Sequence, residues 1–172
     1  MAVDVLIDTA RIDQRVRELA AAIRRDAGAD TMLHVVSVLK GAFVFAADLV
    51  RALDGAVTCD FLSVSSYGAG EISSGEVRLV RDLDRTIEGL DVLLVEDIVD
   101  TGRTLRYLQA LLGARGPKTL RTVCLLDKVS RRQVAVQVDY VGFTIDDRFV
   151  VGYGLDLDER YRNLPYIGTL TT

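Results

Sequence analysis

Three carboxylates fall within five residues, Glu96, Asp97 and Asp100, and a small polar turn follows them, Thr101-Gly102-Arg103-Thr104. Backbone N–H groups from Asp100 to Thr104 can converge on a phosphate, with the Thr101 and Thr104 hydroxyls as further donors. Gly102 lets the backbone approach closely. Glu96 and Asp97 would repel a phosphate that touched them, so they must face sugar hydroxyls or a hydrated cation. Phosphate donors at one end and diol acceptors at the other suit a ribose 5-phosphate.

The segments around this cluster are those that would aim it. Val92 to Val95 is a short apolar, β-branched-rich run and reads as a strand buried on both faces. After the turn, Leu105, Leu108, Leu111 and Leu112 recur at helical spacing, with Gly113 as the stop. In such a strand–loop–helix unit, ligands sit at the carboxyl end of the strand and phosphates on the helix N-terminus. Upstream, Asp8 or Thr9 caps a helix whose apolar face is Ile12, Val16, Leu19, Ala20 and Ile23, and Gly28 ends it. Met32 to Leu39 and Cys59 to Ser65 read as further strands. The first ends in Lys40-Gly41, a pair suited to pyrophosphate. The second runs into a glycine-rich stretch opened by Ser66-Tyr67, which reads as a lid. Val77 to Leu83 returns from that stretch. Leu120 to Leu126 is another buried strand, closed by Asp127-Lys128. Asp158 to Asn163 is expected to form one helical turn.

At 172 residues the chain is sized for one domain, and 49% hydrophobic with 27% charged residues is ordinary for a soluble enzyme. We expect a core over about residues 30–128. The segment after Lys128 is too irregular for another βαβ unit, so residues 129–172, with the N-terminal end, should form a small hood over the strand ends. A net charge of −4 without a basic tract disfavours nucleic acid. Neither a membrane span nor a signal peptide is visible, so a cytoplasmic location is expected. One histidine, His34, excludes a His-pair metal site and reads as a sheet residue. Cys59 and Cys124 read as two buried thiols. No dinucleotide fingerprint or Walker A loop is present.

Val95-Glu96-Asp97-Ile98-Val99-Asp100-Thr101-Gly102-Arg103-Thr104 resembles the phosphoribosyl-pyrophosphate signature of the phosphoribosyltransferases, and the glutamate-aspartate version with the downstream residues resembles the bacterial hypoxanthine-guanine type. Arg103 stands where lysine is common. The resemblance implies the type I phosphoribosyltransferase fold, a mostly parallel central α/β sheet flanked by helices, with a hood. It implies Mg²⁺, the substrates phosphoribosyl pyrophosphate, hypoxanthine and guanine, and a homodimer or homotetramer. Phosphoribosyl binding would fall to Glu96, Asp97, Asp100, Thr101, Gly102, Arg103 and Thr104. Pyrophosphate would meet Lys40, Gly41 and Arg162, with Ser66 and Tyr67 in a catalytic lid. The Leu-Lys-Gly turn often carries a cis peptide in this family, a feature no residue pattern specifies.

The hood residues have their own chemical logic. Lys128 only donates, so it suits the O6 of a 6-oxopurine and not the amino group of adenine. Phe149 can stack on a base while the Val150 backbone bonds its edge. Asp156, with Glu96 and Asp97, suits Mg²⁺, which takes one or two carboxylates plus phosphates and waters. Asp100 is the expected acid/base for the purine N7 proton. Transferases for uracil, orotate or xanthine, and an RNA-binding regulator on the same fold, are the rival expectations.

Overall fold

The computed structural model describes residues 2–66 and 77–171. In chain order the elements are β1 (Ala2–Ile7), α1 (Thr9–Ala27), β2 (Leu33–Leu39), α2 (Phe43–Ala52), β3 (Val57–Ser66) and β4 (Val77–Arg81). Then follow β5 (Asp91–Val99), α3 (Arg103–Gly113), β6 (Thr119–Asp127), β7 (Tyr140–Thr144), β8 (Val150–Val151) and β9 (Ile167–Thr171).

Six strands form one sheet in the order β4-β3-β2-β5-β6-β7. Every pairing is parallel except β3 with β4. Burial on both faces explains the near-continuous apolar runs of β2 and β5. Alternate residues of these strands feed opposite cores. Val35, Leu93 and Val95 pack with Phe45 and Leu49 of α2 and Ile12 and Leu19 of α1. Val36, Val38, Val92 and Leu94 pack with Leu105, Leu108 and Leu112 of α3. The carboxyl ends of β2 and β5 lie side by side, which brings the segments after Leu39 and after Val95 together.

Asp8 caps α1 by accepting from the Arg11 N–H at 2.9 Å, and Gly28 closes it, as the sequence predicts. A second, three-stranded antiparallel sheet joins the two ends of the chain in the order β1-β9-β8.

Three expectations need correction. The main sheet does not stop at Lys128: β7 pairs in parallel with β6, so the layer continues to Thr144. Asp158 to Asn163 is not helical. Leu157 and Arg160 bridge each other, and Asp158 and Glu159 between them both take positive φ, 51° and 63°. That is the geometry of a tight two-residue hairpin turn. Cys124 is buried, but Cys59 is exposed, on the face of β3 that α2 leaves partly open. His34 is a sheet residue, its Nδ1 2.8 Å from the Thr58 hydroxyl. Among the described residues, no helix is long and apolar enough to cross a membrane.

Candidate active site

A cavity of about 240 Å³ opens at the carboxyl ends of β2 and β5, lined by Gly41, Glu96, Asp97, Asp100, Thr101 and Thr104 among others. The loop between β5 and α3 is its floor. Gly102 starts α3 in the left-handed region, φ 86°, and has no side chain to cap the helix. The Arg103 N–H makes a long 3.4 Å bond to the Thr101 hydroxyl, and a helix start of this kind suits an anion. The Thr101 carbonyl is held from outside by the backbone N–H groups of Gln133 and Val134, at 2.9 and 3.2 Å. Arg103 is exposed.

Glu96 is 5% exposed. Burial, and next the neighbouring charge of Asp97, push its carboxyl well above the usual range. Asp97 is pushed up to about 6, first by burial, against the opposing effect of N–H donors such as Ile98 and of Arg162. Two adjacent carboxylates with too little compensating charge form a place where a cation, or a sugar diol that donates hydrogen bonds, is favoured. Their hard oxygen donors fit Mg²⁺. Asp156 is near enough to influence Asp97, but its own carboxylate is taken by Arg162 at 2.8 Å and by the Glu159 N–H at 2.9 Å. Among the described residues, no three acidic, histidine or cysteine side chains converge into a complete metal cage.

The Lys40 turn comes next to this pair. The Leu39–Lys40 peptide bond is cis. Gly41 packs directly on Asp97, and Gly154 packs on the Gly41 carbonyl, each so closely that a Cβ would overlap its neighbour. Lys40 Nζ and Arg162 Nη2 both contact Glu159, at 2.9 and 3.2 Å. The structure thus brings Lys40 and Arg162 onto one carboxylate. Glu159 was not among the residues expected from sequence.

On the opposite side, Lys128 is 7% exposed although it follows the strand end. Its ammonium lies 3.6 Å from Asp147. Phe149 is 57% exposed, a free ring, whereas Val150 is buried in β8. The Asp100 carboxylate accepts from Arg131 Nε at 3.2 Å. Arg132 pairs with buried Asp127 and reaches the Asp100 carbonyl at 3.4 Å. Arg131, Arg132 and Asp147 carried no sequence signal beyond their charge. Ser66 ends β3, and Tyr67 lies outside the described residues.

An uncapped helix start, a buried acid pair and the Gly41 turn meet around one cavity at the strand ends. Residues 3–158 match the phosphoribosyl transferase domain family, and the chain belongs to that family. It is 49% identical over 166 residues to the hypoxanthine-guanine phosphoribosyltransferase of Bacillus subtilis, covering 96% of this chain and 92% of that one. It is 50% identical to the bifunctional protein TilS/HprT of Listeria innocua, and there it spans only 26% of the relative's length. The solved structure of a hypoxanthine-guanine phosphoribosyltransferase from Bacillus anthracis superposes with a TM-score of 0.92 at 46% identity, covering 98% of each chain.

Proposed function

We propose that this enzyme transfers the 5-phosphoribosyl group of phosphoribosyl pyrophosphate to hypoxanthine or guanine, giving IMP or GMP and pyrophosphate, as a cytoplasmic step of purine salvage. The observation that carries the base assignment is Lys128, a nearly buried ammonium just after the end of β6, whose contact with Asp147 is a long 3.6 Å. A buried donor left without an acceptor is costly, and the O6 of hypoxanthine or guanine supplies one where adenine does not. The relatives' names point the same way.

In this reading the 5-phosphate sits on the N–H groups of Thr101, Gly102, Arg103 and Thr104, and Glu96 and Asp97 take the ribose hydroxyls. Lys40, the Gly41 backbone and Arg162 face pyrophosphate. Phe149 stacks on the base and the Val150 backbone bonds its edge. As the bond from C1 of the ribose to pyrophosphate oxygen breaks and the bond to the purine nitrogen forms, Asp100 takes or shares the N7 proton. Glu96, Asp97 and Asp156 would hold Mg²⁺, which when bound neutralises the departing pyrophosphate. Ser66 and Tyr67 belong to the stretch assigned here as a catalytic lid. The hood that presents Phe149 and Asp156 and the sheet that presents the loops act as one catalytic unit spanning residues 1–172.

A homodimer or homotetramer is part of the proposal. It is supported by an apolar patch on α2 and β3 where Phe43 and Phe61 are exposed. Light scattering of the purified protein tests that part. The activity is tested by incubating protein, phosphoribosyl pyrophosphate, Mg²⁺ and hypoxanthine and identifying IMP and pyrophosphate by mass. Product formed only from uracil, orotate or xanthine would replace the assignment with that rival.

A further inference from the structure

Four charged side chains run in an unbroken line from the base-reading lysine to the acid/base carboxylate. Lys128 Nζ lies 3.6 Å from Asp147 Oδ1. The other oxygen of Asp147 lies 3.7 Å from Arg131 Nη1. Arg131 Nε in turn lies 3.2 Å from Asp100 Oδ1. Three separate segments supply these groups: the loop between β5 and α3, the turn after β6, and the loop before β8. The two end members have roles under the proposed function, on which this inference rests. The two middle members have none.

We propose that Arg131 and Asp147 are positioning residues that couple recognition of the base oxygen to the placement of the Asp100 carboxylate. The physical logic is competition for a limited set of charges. With no base present, Asp147 is shared between Lys128 and Arg131, and Arg131 holds Asp100. An oxygen accepting from Lys128 draws the ammonium from Asp147. Asp147 then turns fully to Arg131 and fixes it, so Arg131 holds the Asp100 carboxylate in place for the base only when an acceptor has occupied the lysine. The middle pairs are half exposed and therefore screened and readily exchanged, as a relay requires. Arg132 is the fixed counterpart: it is tied to buried Asp127 and touches only the Asp100 backbone, so it anchors the loop without competing for the carboxylate.

The test is steady-state kinetics with hypoxanthine on the wild type, Arg131→Met, Arg131→Lys, Asp147→Asn and the Arg131→Met/Asp147→Asn double variant, with melting temperatures measured in parallel. Arg131→Met should lower kcat about tenfold, within the range seen for coupled neighbours, while KM for phosphoribosyl pyrophosphate stays within about twofold. Arg131→Lys should recover most of the loss, because it restores the cation. The double variant should be no slower than Arg131→Met alone, because both changes break one line. A kcat for Arg131→Met within about twofold of wild type overturns the proposal. So do an Arg131→Lys variant as slow as Arg131→Met, and losses that multiply in the double variant. A wild type inactive on every 6-oxopurine refutes the proposed function itself, and the inference falls with it. An active wild type with unaffected variants refutes the inference alone.

Discussion

Gly41 lies against the Asp97 carboxylate with no room for a Cβ between them. The Lys40-Gly41 turn and the acid pair therefore belong to one packed unit, and Gly154, stacked on the Gly41 carbonyl, extends it. Gly41→Ala must push Asp97 away from the cavity or distort the turn. The expected result is a loss of turnover of about 10²-fold, the penalty of a small misplacement in a preorganised site, with the fold intact by circular dichroism. Normal kcat in this variant would mean that the contact is incidental.

Asp100 offers a sharper separation of roles. It does not cap α3, which begins at Gly102 without a side-chain cap, so its carboxylate is free of that structural duty. Asp100→Asn keeps the shape and removes the proton acceptor. Turnover should fall by about 10²–10⁴-fold, with KM for phosphoribosyl pyrophosphate changed far less. Single-turnover kinetics with hypoxanthine would show it, and near-wild-type rates would remove Asp100 from the chemistry.

Glu159 occupies the two cations expected to meet pyrophosphate, Lys40 and Arg162. An anionic substrate must displace it. Glu159→Gln should therefore tighten phosphoribosyl pyrophosphate and pyrophosphate about 3- to 10-fold, the effect of relieving a competing charge at an exposed site. Product inhibition by pyrophosphate measures this directly, and an unchanged or weaker inhibition constant would argue that Glu159 helps to hold the anion.

Burial of Asp97 predicts a pH dependence of stability. Its carboxyl is raised from an ordinary 3.8 to about 6, so between these values the native state binds more protons than the unfolded one. Stability from this group is complete below the lower value and is lost as pH rises through the upper one. Asp97→Asn removes this group's share of the dependence and the charge that adds to the Glu96 shift. The melting temperature of the variant should exceed that of the wild type by more at about pH 7 than at about pH 4 in the absence of metal. Glu96 is shifted in the same direction and remains in both proteins. A gap that does not change with pH would contradict the buried-carboxylate account.

What could be read from the chain follows from local physics. β5 and α3 were legible because a double-sided apolar run and a leucine stripe at helical spacing each have one good solution. The phosphate loop was legible because its acids and small residues sit together in sequence. The membership of β7 in the main sheet was not, since the apolar positions of Val134 to Ile145 show burial but not which strand is the neighbour. The turn at Asp158-Glu159 was missed because neither residue is glycine, and a string of polar helix formers gives no sign of positive φ. Arg131, Asp147 and Glu159 escaped notice for a related reason: an ion pair has no spacing rule when its partners come from different loops. Cys59 was misjudged because alternation identifies the two faces of β3 but not how far α2 covers one of them.

Under the proposed function, Lys128 sets the preference for 6-oxopurines. The most direct measurement is the ratio of kcat/KM for hypoxanthine to that for adenine, with saturating phosphoribosyl pyrophosphate and Mg²⁺, in the wild type and in Lys128→Met. A site that hydrogen-bonds its substrate discriminates by about 10⁴–10⁵ against an analogue that leaves a buried polar group unpaired. A ratio of that order is expected in the wild type, with its collapse in Lys128→Met through loss of hypoxanthine turnover. Comparable turnover of adenine by the wild type, or a ratio unmoved by the substitution, would contradict it.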